Sequence, residues 1–238
     1  LDLKEAIASG VLTEIDATRD YLDEVKRHVD QNVIKASKFK VVVDCMYGAG
    51  SGYLKYLLES MGVEVLEIRS EFNPSFGGIN PEPIEPNLGV LIETIKKEKA
   101  DIGLATDGDA DRLGVVDENG RFVTTQEVFP LLLQHLYEDR GMNGDVVMAC
   151  SSSIMLKHLS QIYGLKLVET PVGFKDVCAY MIEHDSLIGG EESGGIWAQG
   201  FIPERDGIRM SLILLEIICK EKKSINEILK DIYNVLYL

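Results

Sequence analysis

Asp101-Ile102-Gly103-Leu104-Ala105-Thr106-Asp107-Gly108-Asp109-Ala110-Asp111-Arg112-Leu113-Gly114-Val115-Val116-Asp117 is two short apolar runs joined by a polar loop. The runs predict strands over 101–105 and 113–117, with Thr106–Arg112 between them. Asp107, Asp109 and Asp111 fall at alternate positions and can converge on one hard cation, because an oxygen-only donor set suits Mg²⁺, Ca²⁺ or Mn²⁺. Gly108 is expected to give the loop the backbone freedom to close. Arg112 puts a permanent cation, suited to gripping phosphate, beside the carboxylates. A divalent ion flanked by a guanidinium is what phosphoryl transfer requires, since its catalysis is mostly positioning and charge stabilisation.

A calcium-binding helix–loop–helix is the sharpest rival. Counted from Asp107, a twelve-residue calcium loop ends on Glu118, the right residue type. Its sixth position, however, is Arg112 where the sharp turn wants Gly, and the flanks read as strands. That reading is rejected.

Upstream, Tyr21, Leu22, Val25 and Val29 recur at helical spacing and predict one amphipathic helix over 13–34. Val41-Val42-Val43-Asp44 is a β-branched run of the kind found in strands covered on both faces. Gly48-Ala49-Gly50-Ser51-Gly52 then opens a helix through Met61, followed by a strand over 63–68. These glycines do not have the G-x-G-x-x-G spacing of a dinucleotide site and are read as tight strand-to-helix packing. Residues 73–87 are too rich in proline for regular structure, and 88–98 reads as a helix. Glu118-Asn119-Gly120 is the turn of a hairpin whose second strand is 121–124. A second cycle follows: helix 127–137, strand 145–149, helix 154–162, strand 165–169, a helix from 174, strand 186–188, and helices 207–220 and 225–236. The alternation predicts an α/β fold of two consecutive α/β/α sandwich domains, residues 1–124 and 125–238, with mixed, mostly parallel sheets. In such folds ligands gather beyond the carboxyl ends of strands.

The chain has 238 residues, 45% of them hydrophobic, and a formal net charge of −15. That charge argues against nucleic acid or an anionic membrane as partner, and means an anionic substrate must be drawn in by local cations or a metal. The most apolar stretch, 211–219, is short and interrupted by Glu216, so no membrane span is expected. Leu1 begins neither a signal peptide nor an initiator Met, so the chain is expected to belong to something longer. Cys45, Cys150, Cys178 and Cys219 are scattered without a C-x-x-C pair and are expected to be buried free thiols of a cytoplasmic protein. The four histidines are isolated in sequence and carry no catalytic expectation.

Three further loops carry polar chemistry. Gly189-Gly190-Glu191-Glu192-Ser193-Gly194-Gly195 offers an acceptor at Glu191 and a donor/acceptor at Ser193, a fit to vicinal sugar hydroxyls. In Thr170-Pro171-Val172-Gly173-Phe174-Lys175 a lysine at the opening turn of a helix can bind phosphate or act in proton transfer. In Pro203-Glu204-Arg205-Asp206-Gly207, Arg205 is a candidate phosphate contact and Asp206 a helix cap.

Together these loops resemble those of the α-D-phosphohexomutases, which include phosphoglucomutase and phosphomannomutase. Asp107–Arg112 is similar to their metal-binding loop, Gly190–Gly195 to their sugar-recognition loop, and Thr170–Lys175 to the segment carrying their catalytic lysine. Val43–Gly50, Asn80-Pro81-Glu82-Pro83 and Arg205-Asp206-Gly207 match as well, in the family's order. By this resemblance Asp107, Asp109 and Asp111 hold Mg²⁺, which an oxygen of a phosphoserine also ligates, and Arg112 steadies that phosphoserine. Glu191 and Ser193 grip sugar hydroxyls in two substrate orientations, and Lys175 serves in proton transfer. The implied reaction interconverts hexose 1- and 6-phosphates through a bisphosphate. The resemblance covers the second and third of the family's four domains. The phosphoserine segment and C-terminal phosphate loop have no counterpart here, so the flanking domains are implied partners and the chain alone is expected to be inactive. Gly195 stands where many phosphomannomutase-type members have His, a modest tilt towards phosphoglucomutase-like preference that leaves the choice of sugar open. The alternatives are a stand-alone metal or phosphosugar-binding module and a metal-dependent sugar phosphatase.

Overall fold

The computed structural model describes residues 2–237. Helices α1 (Leu3–Ala8), α2 (Thr18–Arg27) and α3 (Gln31–Ala36) precede β1 (Lys40–Asp44), α4 (Tyr53–Ser60), β2 (Glu64–Ile68), α5 (Gly89–Glu98), β3 (Ile102–Thr106), β4 (Leu113–Asp117) and β5 (Phe122–Val123). The second half runs α6 (Thr125–Gln134), β6 (Asp145–Ala149), α7 (Ile154–Tyr163), β7 (Leu167–Thr170), α8 (Phe174–Glu183), β8 (Ser186–Gly190), β9 (Ile196–Ala198), α9 (Gly207–Glu221) and α10 (Ile225–Tyr237). The two sheets have strand orders β2-β1-β3-β4-β5 and β7-β6-β8-β9. In each, a parallel trio gives way to an antiparallel strand, at β3/β4 in the first and β8/β9 in the second. These are the two expected α/β/α layers with mixed sheets. No helix among the described residues is long and apolar enough to cross a membrane.

The helix expected over 13–34 is two helices. Asp30 breaks it: its carboxylate accepts from the backbone N–H groups of Asn32 and Val33 at 2.9 and 3.3 Å, the signature of a new helix start. The N–H of Asp30 is itself taken by Glu216 Oε2 at 2.9 Å, so the break is fixed from α9. Strand β9 has no signal in the sequence, because three residues are too few to show alternation. Two cysteines depart from expectation. All four are free, but Cys150 is exposed and Cys178 only half-buried. His135, isolated in sequence, lies buried in an ionic cluster with Asp139 (2.7 Å), Glu216 (3.2 Å) and Arg140 (3.1 Å).

Helix α9 joins the two halves. It is buried from Gly207 to Cys219 and packs against β3, β4 and β9 and against α3, α6 and α10. Its leucines and isoleucines belong to one apolar cluster that runs from Val41 and Leu104 to Val146 and Leu187. In this helix the buried Arg209 donates through its two Nη atoms to the carbonyls of Ala198 and Gln199 at 2.6 and 2.8 Å and lies over the Phe201 ring at 5.2 Å, while its Nε is buried without a hydrogen-bond partner.

The halves also meet backbone to backbone. Arg112 and Gly195 form an antiparallel bridge, Leu113 N–H donates to Gly194 C=O at 3.0 Å, and Gly207 N–H donates to Ala110 C=O at 3.1 Å. Side chains are excluded here. A Cβ on Gly194 would lie 2.6 Å from Leu113 O, at a φ of +100° that L-residues avoid. One on Gly207 would lie 2.4 Å from Arg112 O. Gly194→Ala is therefore expected to cost about 2–3 kcal/mol through backbone strain and forced separation of the seam. A lowered urea midpoint at unchanged slope is the measurement that checks it.

Candidate functional site

The loop after β3 closes on its own first aspartate. Asp107, 1% exposed, accepts from the backbone N–H groups of Asp111 and Arg112 at 3.0 and 3.1 Å through Oδ1, and from Arg112 Nε at 2.6 Å through Oδ2. Ala110 (φ +64°), and not Gly108, takes the left-handed conformation that this closure needs. Gly108 instead packs against the proline-rich loop, its N–H donating to Pro81 C=O at 3.2 Å. The Gly48–Gly52 run does more than join β1 to α4, since Ala49 N–H donates to Gly108 C=O at 3.0 Å. Asp44 and Arg69 hold this corner from beneath: Asp44 is buried and Arg69 half-buried, Arg69 Nε reaches Asp44 at 2.8 Å, and the same guanidinium donates to Asn87 C=O at 3.1 Å.

One carboxylate oxygen from each of Asp107, Asp109 and Asp111 lies within 4.8 Å of the others. The first is buried, the second exposed and the third half-buried, so the cluster opens to solvent on one side. Hard oxygen donors at that spread fit a hard divalent cation and lack the sulfur or imidazole a softer metal would select. Crowding has an electrostatic cost. Burial first, then the neighbouring charges of Asp107 and Asp109, push the Asp111 carboxyl up to about 7 despite the opposing charge of Arg205.

The Glu191–Ser193 turn, which joins β8 to β9, faces the triad. Ser193 Oγ donates to Glu191 Oε1 at 2.8 Å, and Glu191 is buried with Arg205 Nη1 at 3.1 Å. The other end of that guanidinium contacts Asp111 Oδ2 at 2.5 Å. Arg112 reaches Glu82 at 3.6 Å. Asp206 caps α9 by accepting from Arg209 N–H at 2.8 Å, and Tyr21 Oη donates to both its oxygens at 3.1 Å. A cavity of about 310 Å³ borders Asp109, Asp111 and Arg205, walled by Tyr21, Tyr53 and Phe201.

Of the residues singled out from sequence, Asp107, Asp109, Asp111, Arg112, Glu191, Ser193 and Arg205 thus form one connected group. Lys175 does not join it. It is exposed on the first turn of α8 and makes no ion pair among the described residues, although its neighbour Phe174 stacks under Arg205 at 5.2 Å. Sequence reasoning missed three participants: Glu82 as a partner of Arg112, Tyr21 as a partner of Asp206, and Ser151, which donates to Glu192. Glu82 lies in a quoted motif, but Tyr21 and Ser151 come from distant segments with no local signal.

This fold and site belong to a described class. Residues 19–120 match the family model for phosphoglucomutase/phosphomannomutase α/β/α domain II, and residues 124–236 that for domain III. The chain is 35% identical over 223 residues to a phosphoglucomutase/phosphomannomutase of Thermococcus kodakarensis, covering 94% of this chain and 49% of that protein. It is 33% identical to a phosphoglucosamine mutase of Caldicellulosiruptor saccharolyticus, over 93% of this chain and 49% of the relative. A crystal structure from Thermus thermophilus, of a protein assigned as a phosphomannomutase, superposes with a TM-score of 0.89 at 36% identity, covering 94% and 52% of the two chains. The chain belongs to the phosphoglucomutase/phosphomannomutase family of phosphohexomutases. It spans about half the length of the curated relatives it matches.

The raised Asp111 carboxyl has a pH signature. Its proton is held more tightly when folded, so the stability it contributes is complete below the ordinary carboxylate range and lost as pH rises through about 7. In chelator, Asp111→Asn and the unsubstituted chain should melt together near about pH 4 and diverge in the variant's favour by about pH 8. The gap should be small, because the group is only partly buried and the cluster opens to solvent, which screens it. Thermal melts across that range, at fixed ionic strength, test the sign.

Proposed function

We propose that this chain is the metal- and sugar-handling half of a Mg²⁺-dependent phosphohexomutase that interconverts hexose 1-phosphate and hexose 6-phosphate. The observation that carries the reading is the junction itself: a convergent aspartate triad and a buried Glu191–Ser193 pair joined through one guanidinium. Family membership and the donor chemistry of the triad support it.

On this reading Asp107, Asp109 and Asp111 hold the ion. Bound there, Mg²⁺ neutralises charge on the phosphoryl group in transfer. Asp107 also fixes Arg112, whose remaining N–H groups steady a phosphoryl oxygen from the side. Glu191 accepts from one sugar hydroxyl while Ser193 bonds its neighbour; two adjacent hydroxyls present a similar pattern when the ring is turned over, so either end of the sugar can face the triad. Arg205 takes the phosphate remote from the reacting one. Lys175, uncommitted to any carboxylate here, moves a proton at the accepting hydroxyl. The phosphoserine that donates and recovers the phosphoryl group is supplied by a part of the parent protein beyond this chain.

The chain alone should bind hexose 6-phosphate in the presence of Mg²⁺ and leave glucose 1-phosphate unconverted. Glu191→Ala should weaken sugar-phosphate binding about 10- to 100-fold, the loss of a charge-assisted hydrogen bond. Calorimetry with the 6-phosphates of glucose, mannose and glucosamine measures both affinity and preference. Turnover by this chain alone, or release of inorganic phosphate without isomerisation, would sink the assignment. Asp109→Asn provides a second check. Asp109 is exposed and makes no hydrogen bond among the described residues, so removing its charge should raise thermal stability in chelator while abolishing stabilisation by Mg²⁺.

A further inference from the structure

Arg205 is engaged on both sides of the junction at once. One Nη contacts Asp111 Oδ2 at 2.5 Å and the other Glu191 Oε1 at 3.1 Å, so a single cation spans the acidic loop and the sugar loop. The third nitrogen, Nε, is buried without a hydrogen-bond partner, its nearest carboxylate being Glu204 at 3.6 Å. The guanidinium lies on the Phe174 ring at 5.2 Å and its side chain is 26% exposed. The bond to Asp111 uses an oxygen of the same triad that converges for a cation. Arg205 and a divalent ion therefore compete for one carboxylate. A guanidinium with an unsatisfied N–H, and about to lose one of its two anions, is a ready donor to another oxyanion such as a phosphate.

Gly195 makes this geometry possible. A Cβ there would lie 2.3 Å from Arg205 Cδ, 3.2 Å from its Cγ and 3.3 Å from Glu191 Oε1. Any side chain at this position pushes Arg205 off its path between the loops. The atoms displaced belong to a flexible side chain, so the backbone need not move.

We propose that Arg205 is an exchangeable latch. It occupies Asp111 while no divalent cation is bound and passes to the sugar phosphate when the cation takes that carboxylate, so that metal and phosphosugar bind cooperatively. Gly195 is the positioning residue that leaves room for it. The exchange rests on the function proposed above. The latch in its resting form rests on the geometry alone. Two ligands that each release the other's competitor must strengthen one another by the same factor.

The test uses titration calorimetry of this chain with Mg²⁺ alone, glucose 6-phosphate alone, and each in the presence of the other. The unsubstituted chain should show about tenfold mutual tightening. Gly195→Ala keeps every charge but displaces the latch; it should bind Mg²⁺ alone several-fold more tightly and lose most of the mutual effect. Arg205→Gln should do the same. If Gly195→Ala matches the unsubstituted chain in Mg²⁺ affinity while Arg205→Gln binds more tightly, Arg205 acts only through its field and the exchange is overturned. Should Gly195→Ala fail to fold, Arg205→Lys replaces it, since one ammonium carries the charge but cannot span both carboxylates. A double-mutant cycle of Asp111→Asn with Arg205→Gln, followed by melting in chelator, reads the resting latch without any ligand. Additivity there overturns the latch itself. Non-additivity with no binding of Mg²⁺ or glucose 6-phosphate overturns the exchange and the function beneath it, leaving a structural ion pair.

Discussion

The molecule depends on a line of main-chain contact where two hairpins meet. The turn after β3 and the turn after β8 occupy equivalent places in two sheets of the same plan, each joining the last parallel strand to an antiparallel one. The first turn touches the second at Leu113–Gly194 and the start of α9 at Ala110–Gly207, and a side chain on either glycine is sterically excluded. That contact brings Asp107, Asp109, Asp111 and Glu191 into one small volume, an arrangement that like charges oppose. Arg112 and Arg205 are what make it tolerable, each contacting more than one of the surrounding carboxylates.

Much of this is legible in the chain. The loop chemistry is, because metal-type carboxylate spacing and glycine-flanked polar turns are local patterns. Both sheets, apart from β9, can be read from short apolar runs alternating with helical periodicity. What sequence does not show are consequences of contact between distant segments. Asp30 splits the first long helix because Glu216, far along the chain, takes its N–H. Arg205 reads in sequence as a lone phosphate ligand, whereas its two partners lie on two other loops. The left-handed residue of the acidic loop is an alanine, a choice dictated by the hydrogen bonds of Asp107 and invisible to any rule about glycine. Lys175, the residue most dependent on resemblance, is also the one the fold leaves apart from the rest.

Charge balance recurs away from the cleft. Glu216, buried in α9, meets burial that would raise its pKa, but hydrogen bonding from His135, the charge of Arg140 and the N–H of Asp30 outweigh it and hold the carboxyl below its usual range. This cluster ties α9 to the segment that follows α6 and to the start of α3, so the helix is anchored by polar contacts at one end and by the glycine seam at the other.

A rod enclosed on every side from Gly207 to Cys219 leaves its surroundings no free surface along which to slide. Both sheets pack on it, the first through β3 and β4 and the second through β9, and close packing of that kind resists sliding of one against the other. On the proposed reaction, a sugar that must offer first one end and then the other does its turning over a stationary floor. Opening and shutting then fall to whatever covers that floor from outside.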